Sequence, residues 1–365
     1  MKDKSGLGFG IVGCGMIGHF HAKAIQAMQD GHLECVFDLR MEAAEKLANE
    51  YGVKAYSKYE EFLAHPGLDI VTIGTPSGSH MESAVKAAEA KKHVICEKPV
   101  EITLEKIDAM IAACKKNGVI LAGVHQRRFF DSVKEFKQAV DTGRLGTITM
   151  ADAYVKWYRT QEYYDQGGWR GTWKLDGGGA LMNQAIHTID QLYYLIGEVE
   201  SVCAFARLAA HERIEVEDTA VAVLRFKNGA LGVIEGSTAA FSNKGHGAEV
   251  HVCGSEGSIF MKDKSITVWD FKNPLPGDVA VLEKYGDKGA AGVGAADPKA
   301  INFEDHKNVF EDAVKAIRDG REPAINGEQS RKSVEIILAI YESALAGGKS
   351  VSLPLKKTPE LRAFN

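Results

Sequence analysis

No apolar run in this chain approaches the roughly 20 residues that a membrane-spanning helix needs, so the sequence is not that of a helical membrane protein. Its first residues, MKDKSG, pass straight into a strand-like run and leave no room for a signal peptide. Cysteine is scarce: the six, Cys14, Cys35, Cys96, Cys114, Cys203 and Cys253, are scattered without CxxC or any other ligand spacing. That scatter speaks against a metal site and for reduced, mostly buried thiols in a cytoplasm. Positive charge is not in excess either. Lysine and arginine number 44 against 49 acidic residues, interspersed, for a net charge of −5, which removes the basic footprint of a nucleic-acid partner. No helix-turn-helix and no internal repeat is apparent.

What the chain does have is length and one well-formed loop. Its 365 residues, 45% of them hydrophobic, can bury two cores, so two domains are expected rather than one. Near the start, Phe9, Ile11 and Val12 enter Gly13-Cys14-Gly15-Met16-Ile17-Gly18, and a helical pattern follows with Phe20, Ala24, Ile25 and Met28. Strand, tight turn and helix in that order form a dinucleotide-binding fingerprint. Gly13 permits the turn, Gly15 lets the backbone approach a pyrophosphate, and Gly18 lets helix and strand pack closely. The helix N-terminus at Met16 and Ile17 offers N–H groups to the phosphates. Asp38 closes the second apolar run, 33–37. A carboxylate roughly 20 residues past the glycines accepts hydrogen bonds from the ribose hydroxyls and repels a 2′-phosphate; its other reading is an N-cap for a helix at 39–50. NAD is therefore the expected cofactor. Arg40 keeps NADP open, since it can pair with a 2′-phosphate or cover the adenine.

Strand-like and helical runs alternate from residue 9 to about 125. Strands are expected at 9–13, 33–37, 69–73, 93–96 and 119–123, and helices at 18–29, 41–51, 58–64, 79–91 and 103–116. Alternation of this kind predicts an α/β Rossmann domain over 1–125, with ligands outside the carboxyl ends of its parallel strands. Two stretches lie at such ends. In Thr75-Pro76-Ser77-Gly78-Ser79-His80, Thr75 and His80 are candidate cofactor contacts, or the stretch is a loop whose Ser79 caps the next helix. In Cys96-Glu97-Lys98-Pro99, Lys98 is a candidate acid/base, because burial and neighbouring charge can bring its pKa toward working pH. Pro99 ends the strand and fixes the backbone that presents it.

Beyond residue 126 the period changes. A helix at 131–141 leads to strands at about 146–158, 199–208, 217–226, 230–240, 247–253, 258–261 and 265–269, split by turns such as Lys227-Asn228-Gly229 and Gly254-Ser255-Glu256-Gly257. The expectation is a second α+β domain over 126–365 with an open, mostly antiparallel sheet, its closing helices free to pack back across the first domain. The Gly-, Pro- and Ala-rich stretch 273–300 reads as a long mobile loop, and helices return at 304–319 and 329–346. Between the strands lies an aromatic segment (Trp157, Tyr158, Tyr163, Tyr164, Trp169, Trp173), then Gly177-Gly178-Gly179 and a helical run carrying Asn183, His187, Asp190 and Gln191 on one side. Leu181, Ile186, Ile189 and Leu192 form its expected buried side. A histidine on such a helix is commonly structural; here the glycines before it and the neighbouring amide and carboxylate favour catalysis. The rings suit the apolar faces of a sugar.

The fingerprint Gly13 to Gly18, the tripeptide Glu97-Lys98-Pro99, and Gly177-Gly178-Gly179 followed by Asn183, His187 and Asp190 together resemble the glucose–fructose oxidoreductase/inositol dehydrogenase/rhizopine catabolism family, over nearly the whole chain. The resemblance implies that Lys98 and His187 flank the substrate carbon facing the nicotinamide, with the Lys98–Pro99 bond open to the cis form. It implies cofactor contact by Glu97 and Lys98, and by Trp169 and Arg170 from the second domain. Asn183, Asp190 and His306 take positions on the substrate. Many members have aspartate where this chain has Asn183; an amide orients but cannot stabilise an imidazolium by charge, which shifts proton transfer toward Lys98. Asn183 with Trp169-Arg170-Gly171-Thr172 is also similar to members that oxidise nucleotide-linked amino-sugar uronates.

The expected protein is thus a cytoplasmic, NAD(P)-dependent oxidoreductase of a sugar, cyclic polyol or sugar derivative, forming homo-oligomers as relatives do. Two alternatives stand beside it: an NAD-dependent glycoside hydrolase, and a non-catalytic NAD-binding regulatory protein.

Overall fold

A computed structural model describes residues 6–243, 245–287 and 302–364. The chain divides into two compact units, Met1–Gln126 with Asn302–Arg331, and Arg127–Ile301 with Lys332–Asn365. The first contains a six-stranded sheet of β1 (Leu7–Val12), β2 (Gly31–Phe37), β3 (Lys54–Tyr56), β4 (Ile70–Ile73), β5 (His93–Cys96) and β6 (Leu121–Gly123), in the order β3-β2-β1-β4-β5-β6. Every pairing is parallel. Burial follows from that arrangement: with helices on both faces a parallel strand has no wet side, and β1 is buried from Gly8 to Val12. Val12 pairs with Phe37 and Ile73, Ile73 with Cys96, and Cys96 with Gly123. The carboxyl ends of five strands therefore line one edge, where Rossmann folds bind their ligands.

The helix Phe303–Asp319 follows the second sheet in sequence but belongs to the first unit, where Phe310 stacks on Phe9 with ring centroids 5.9 Å apart. β3 has no counterpart among the expected strands, because three residues are too few to show a period. At Gly18 the expected close approach is present: a Cβ there would lie 2.3 Å from the carbonyl oxygen of Gly13.

The second unit holds an eight-stranded sheet of β7 (Ile148–Lys156), β8 (Val199–Arg207), β9 (Thr219–Phe226), β10 (Leu231–Ser237), β11 (Glu249–Gly254), β12 (Gly257–Lys262), β13 (Ser265–Phe271) and β14 (Val351–Ser352). Its order is β13-β12-β11-β7-β10-β9-β8-β14. The pairings are antiparallel except for β7 with β10. β9 alternates buried and exposed residues along its whole length, so one face of the sheet is covered and the other is open to solvent. On the open face Phe205, Val221, Val223, Leu231 and Met150 are exposed, and register sets Phe205 opposite Val221 and Leu231 opposite Met150.

Two short helices, Gln161–Asp165 and Asp278–Tyr285, replace parts of the expected loops. The second forms where the side chain of Asp278 accepts hydrogen bonds from the Arg144 guanidinium (2.7 and 2.8 Å), Trp269 Nε1 (2.8 Å) and the Leu275 amide (2.6 Å). The remainder of the expected loop, 288–300, lies outside the described residues.

The contact at Gly18 yields a direct test. Gly18→Ala forces the glycine turn and the helix apart, and we expect a loss of about 1–3 kcal/mol, the scale of overpacking, in chemical denaturation; an unchanged midpoint would show that the loop relaxes without cost.

Candidate active site

Around the glycine loop the structure has the features that a dinucleotide requires. A Cβ built on Gly15 meets nothing within 4 Å, so the space above the loop is open. The helix Met16–Gln26 begins there without an acidic residue in its first turn or a side-chain cap, which leaves its N–H groups and positive dipole end for an anion. Asp38 follows β2, and its carboxylate accepts the amides of Cys14 (3.0 Å) and Arg40 (2.9 Å). It thereby ties the glycine loop to the end of the second strand. Arg40 is the N-cap of the helix Met41–Tyr51 without a side-chain cap, and its own side chain is exposed. The Cys14 thiol is pushed up to about 12, by burial first and then by Asp38.

At the ends of β4 and β5 a second cluster forms. His80 is buried, with Nε2 2.9 Å from the Thr75 carbonyl and Nδ1 3.1 and 3.2 Å from those of Pro99 and Val100. The ring of His80, expected at the cofactor, thus lies between the loop after β4 and the turn after Lys98, and whichever nitrogen carries the hydrogen donates to a backbone carbonyl. Ser79 does not cap the helix through its side chain, since its hydroxyl donates to Pro76 at 2.6 Å. The Lys98–Pro99 bond is cis. Glu97 is also buried. Its Oε1 lies 3.0 Å from Nε2 of both His21 and His306, and its Oε2 accepts the Lys98 amide at 3.1 Å. Burial pushes the Glu97 carboxyl up, but the hydrogen bonds and charge of His21 and His306 outweigh it and hold the group well below the usual carboxylate range. Glu97 and His306, expected on cofactor and substrate, are in this structure partners of each other.

In the second unit, Ala180–Ala185 forms a π-helix that continues as the α-helix Ile186–Ile196. The run expected as one amphipathic α-helix is buried on nearly every side: His187, Thr188, Ile189, Asp190 and Gln191 are all inside. Asp190 makes a two-pronged ion pair with Arg128, at 2.8 Å to Nε and 2.6 Å to the terminal nitrogen. Asp190, expected on the substrate, is thus the partner of Arg128 in this structure. Asn183 donates to Asp176 at 2.6 Å and accepts from Gln184 at 2.8 Å, while Gln184 also accepts from Arg159 at 2.9 Å. A carboxylate, that of Asp176, therefore lies directly beside position 183. In the aromatic segment the Arg170 guanidinium lies 4.7 Å from the ring centre of Tyr163 and 5.1 Å from that of Trp169, and it donates to the Gln166 carbonyl at 2.7 Å.

The residue that holds this region together was not among the expected ones. Glu217, fully buried, accepts the amides of Gly179 (2.9 Å) and Leu181 (2.8 Å) and the hydroxyl of Tyr341 (3.0 Å). A Cβ on Gly179 would lie 1.8 Å from the Glu217 carbonyl oxygen, which is why glycine precedes the π-helix. Burial lifts the Glu217 carboxyl to about 7 against these donors.

Comparison with known proteins adds the following. Residues 7–125 match the oxidoreductase family, NAD-binding Rossmann fold, and residues 133–260 match the GFO/IDH/MocA C-terminal domain. The chain is 30% identical to the myo-inositol 2-dehydrogenase of Thermotoga maritima, over 94% of this chain and 98% of that protein. It is 33% identical to the WlbA dehydrogenase from Bordetella pertussis, solved in complex with NADH and UDP-GlcNAcA, with a TM-score of 0.87 over 98% of this chain and 100% of that one. It is 25% identical to a levoglucosan dehydrogenase solved with NADH and levoglucosan, with a TM-score of 0.81 over 96% and 100%.

The raised Glu217 carboxyl fixes a pH dependence. The folded protein holds this proton up to about pH 7, whereas the unfolded chain releases it near 4.5, so the stabilisation is complete below 4.5 and is lost as pH rises through 7. Glu217→Gln should flatten the decline in unfolding free energy between pH 5 and 7.5, which is on the order of 3 kcal/mol; an equally steep decline in the variant would assign the slope to other groups.

Proposed function

The chain belongs to the GFO/IDH/MocA family and is an NAD-dependent oxidoreductase of sugar or polyol hydroxyls, and from that premise we propose that it oxidises a ring hydroxyl of a nucleotide-linked amino-sugar uronate. The observation that carries this reading is the full-length likeness to the dehydrogenase solved with NADH and UDP-GlcNAcA. Asn183 and the stretch Trp169-Arg170-Gly171-Thr172 support it from this chain's own residues. A second reading, a free cyclic polyol, is favoured by the likeness to the inositol dehydrogenase over almost the whole length of both chains.

NAD, when bound, supplies the acceptor for the hydride. Gly13, Gly15 and the amides of Met16 and Ile17 would hold its pyrophosphate, and Asp38 its ribose hydroxyls. In this mechanism Lys98 Nζ takes the hydroxyl proton as the carbon–oxygen bond shortens, and His187 polarises the oxygen. Asp176 keeps the Asn183 amide turned one way through the 2.6 Å hydrogen bond, so that Asn183 meets the substrate in a fixed orientation. The six cysteines are unpaired and four are buried, which supports a reducing, cytoplasmic setting. The exposed apolar face of the second sheet supports a homo-oligomer.

With NAD in excess, UDP-GlcNAcA should yield NADH with a kcat/KM about 10²-fold or more above that of myo-inositol, the scale of discrimination by polar contacts; the reverse order would favour the polyol reading, and turnover of neither would remove both. Lys98→Met and His187→Ala should each lower kcat by about 10²-fold or more while NAD still binds, and near-normal turnover removes that residue from the mechanism. Val223→Glu, on the open sheet face, should reduce the molar mass seen by light scattering to that of one chain; a wild-type protein already of that mass would end the oligomer reading.

A further inference from the structure

Behind Lys98 lies a group of ionisable side chains that binding of substrate or cofactor does not account for. The Glu97 carboxylate stands at the end of β5, with His21 from the helix Met16–Gln26 and His306 from the helix Phe303–Asp319 at 3.0 Å from the same oxygen. An ionised carboxylate only accepts, so each imidazole presents its Nε2–H. His21 completes its bonding through Nδ1 with Thr72 Oγ1 of β4, at 2.9 Å. His306 Nδ1 has no hydrogen-bond partner among the described residues. Aromatic rings close the cluster: Phe20 stacks on His306 at 6.4 Å and Phe310 meets His21 edge-on at 5.2 Å. Burial holds His21 below the usual histidine range despite the neighbouring carboxylate. The group is a buried carboxylate held through one oxygen by two rings.

Apolar side chains of the same volume would fill this space at no electrostatic cost, whereas a buried charge is tolerated only when hydrogen-bonded throughout. The other carboxylate oxygen is spent on the Lys98 amide. We propose that Glu97 is a positioning residue for Lys98, a carboxylate clamped by His21 and His306 that fixes the lysine backbone. His306 thereby couples the helix Phe303–Asp319 to the end of β5, and the clamp rests on the acid/base role proposed above for Lys98.

The test is a set of variants assayed with NAD and whichever of UDP-GlcNAcA and myo-inositol is turned over. Glu97→Gln should lower kcat about tenfold or more while KM and NAD affinity change little. Combined with Lys98→Met it should add nothing to the loss caused by Lys98→Met alone. Losses that multiply would overturn the clamp and leave the Lys98 reading intact, whereas an active Lys98→Met overturns that reading first. His306→Gln keeps an N–H donor and should retain most of the turnover that His306→Leu loses; equal loss in both would count against the clamp. Independently of turnover, nitrogen-15 NMR of the imidazoles should show both rings carrying hydrogen on Nε2 in the wild type and altered signals in Glu97→Gln. A ring protonated on Nδ1 alone, or one equivalent of zinc found by elemental analysis, would overturn the proposal, because a metal ion and not a hydrogen bond would then join the three groups.

Discussion

Buried carboxylates satisfied by backbone N–H groups are the constraint on which this structure turns. Glu217 makes the case most fully. With its two oxygens on Gly179, Leu181 and Tyr341, it fills the acceptor role that a helix N-terminus otherwise finds in a capping side chain or in water. The π-helix Ala180–Ala185 begins on that carboxylate, and the helix carrying His187 continues from it. Removing the side chain leaves two amides unsatisfied at the point where the candidate catalytic segment enters the core.

The same device recurs with different donors. Asp218 takes the amides of Ala209, Ala210 and His211 together with a ring nitrogen of His211, and burial is outweighed by these bonds so that its pKa is lowered. Asp176 takes the Gly171 amide and the Asn183 side chain. Asp190 takes a guanidinium instead, as the only cation that offers two parallel N–H groups to a carboxylate. In each case a polar group inside the protein fixes the orientation of a loop or helix that hydrophobic packing alone would leave free to slide.

Those interactions also mark where the sequence stops being legible. The glycine loop, the Asp38 strand end and the alternation of the first unit could be read because their chemistry is local: a turn needs glycine where it turns, and a strand shows its period within a few residues. The partners of buried charges carry no local signal. Glu217 meets Gly179 across 38 positions, Asp190 meets Arg128 across 62, and His306 meets Glu97 across 209. His80, at a strand end, has the position of a ligand contact, and that its ring also lies against the carbonyls of Thr75, Pro99 and Val100 is visible only in the geometry. The π-helix leaves no mark in the sequence because a run of apolar residues shows that a segment is buried, not how many residues it spends per turn.

The Cys14 thiol carries a consequence of another kind. It sits in the middle of the glycine loop with its sulfur turned inward to the Phe37 carbonyl at 3.5 Å, where an alkyl or oxygen substituent has no room beside the loop. Its high pKa leaves almost none of it as thiolate at neutral pH, and the thiolate is the form that peroxide and maleimides attack. The glycine loop is thus protected from oxidants by the burial of this sulfur first and by the neighbouring Asp38 carboxylate second. Cys203 and Cys253, partly exposed on β8 and β11 of the second sheet, are left as the points where an electrophilic dye can attach, so fluorescence labelling will report on that sheet and not on the loop.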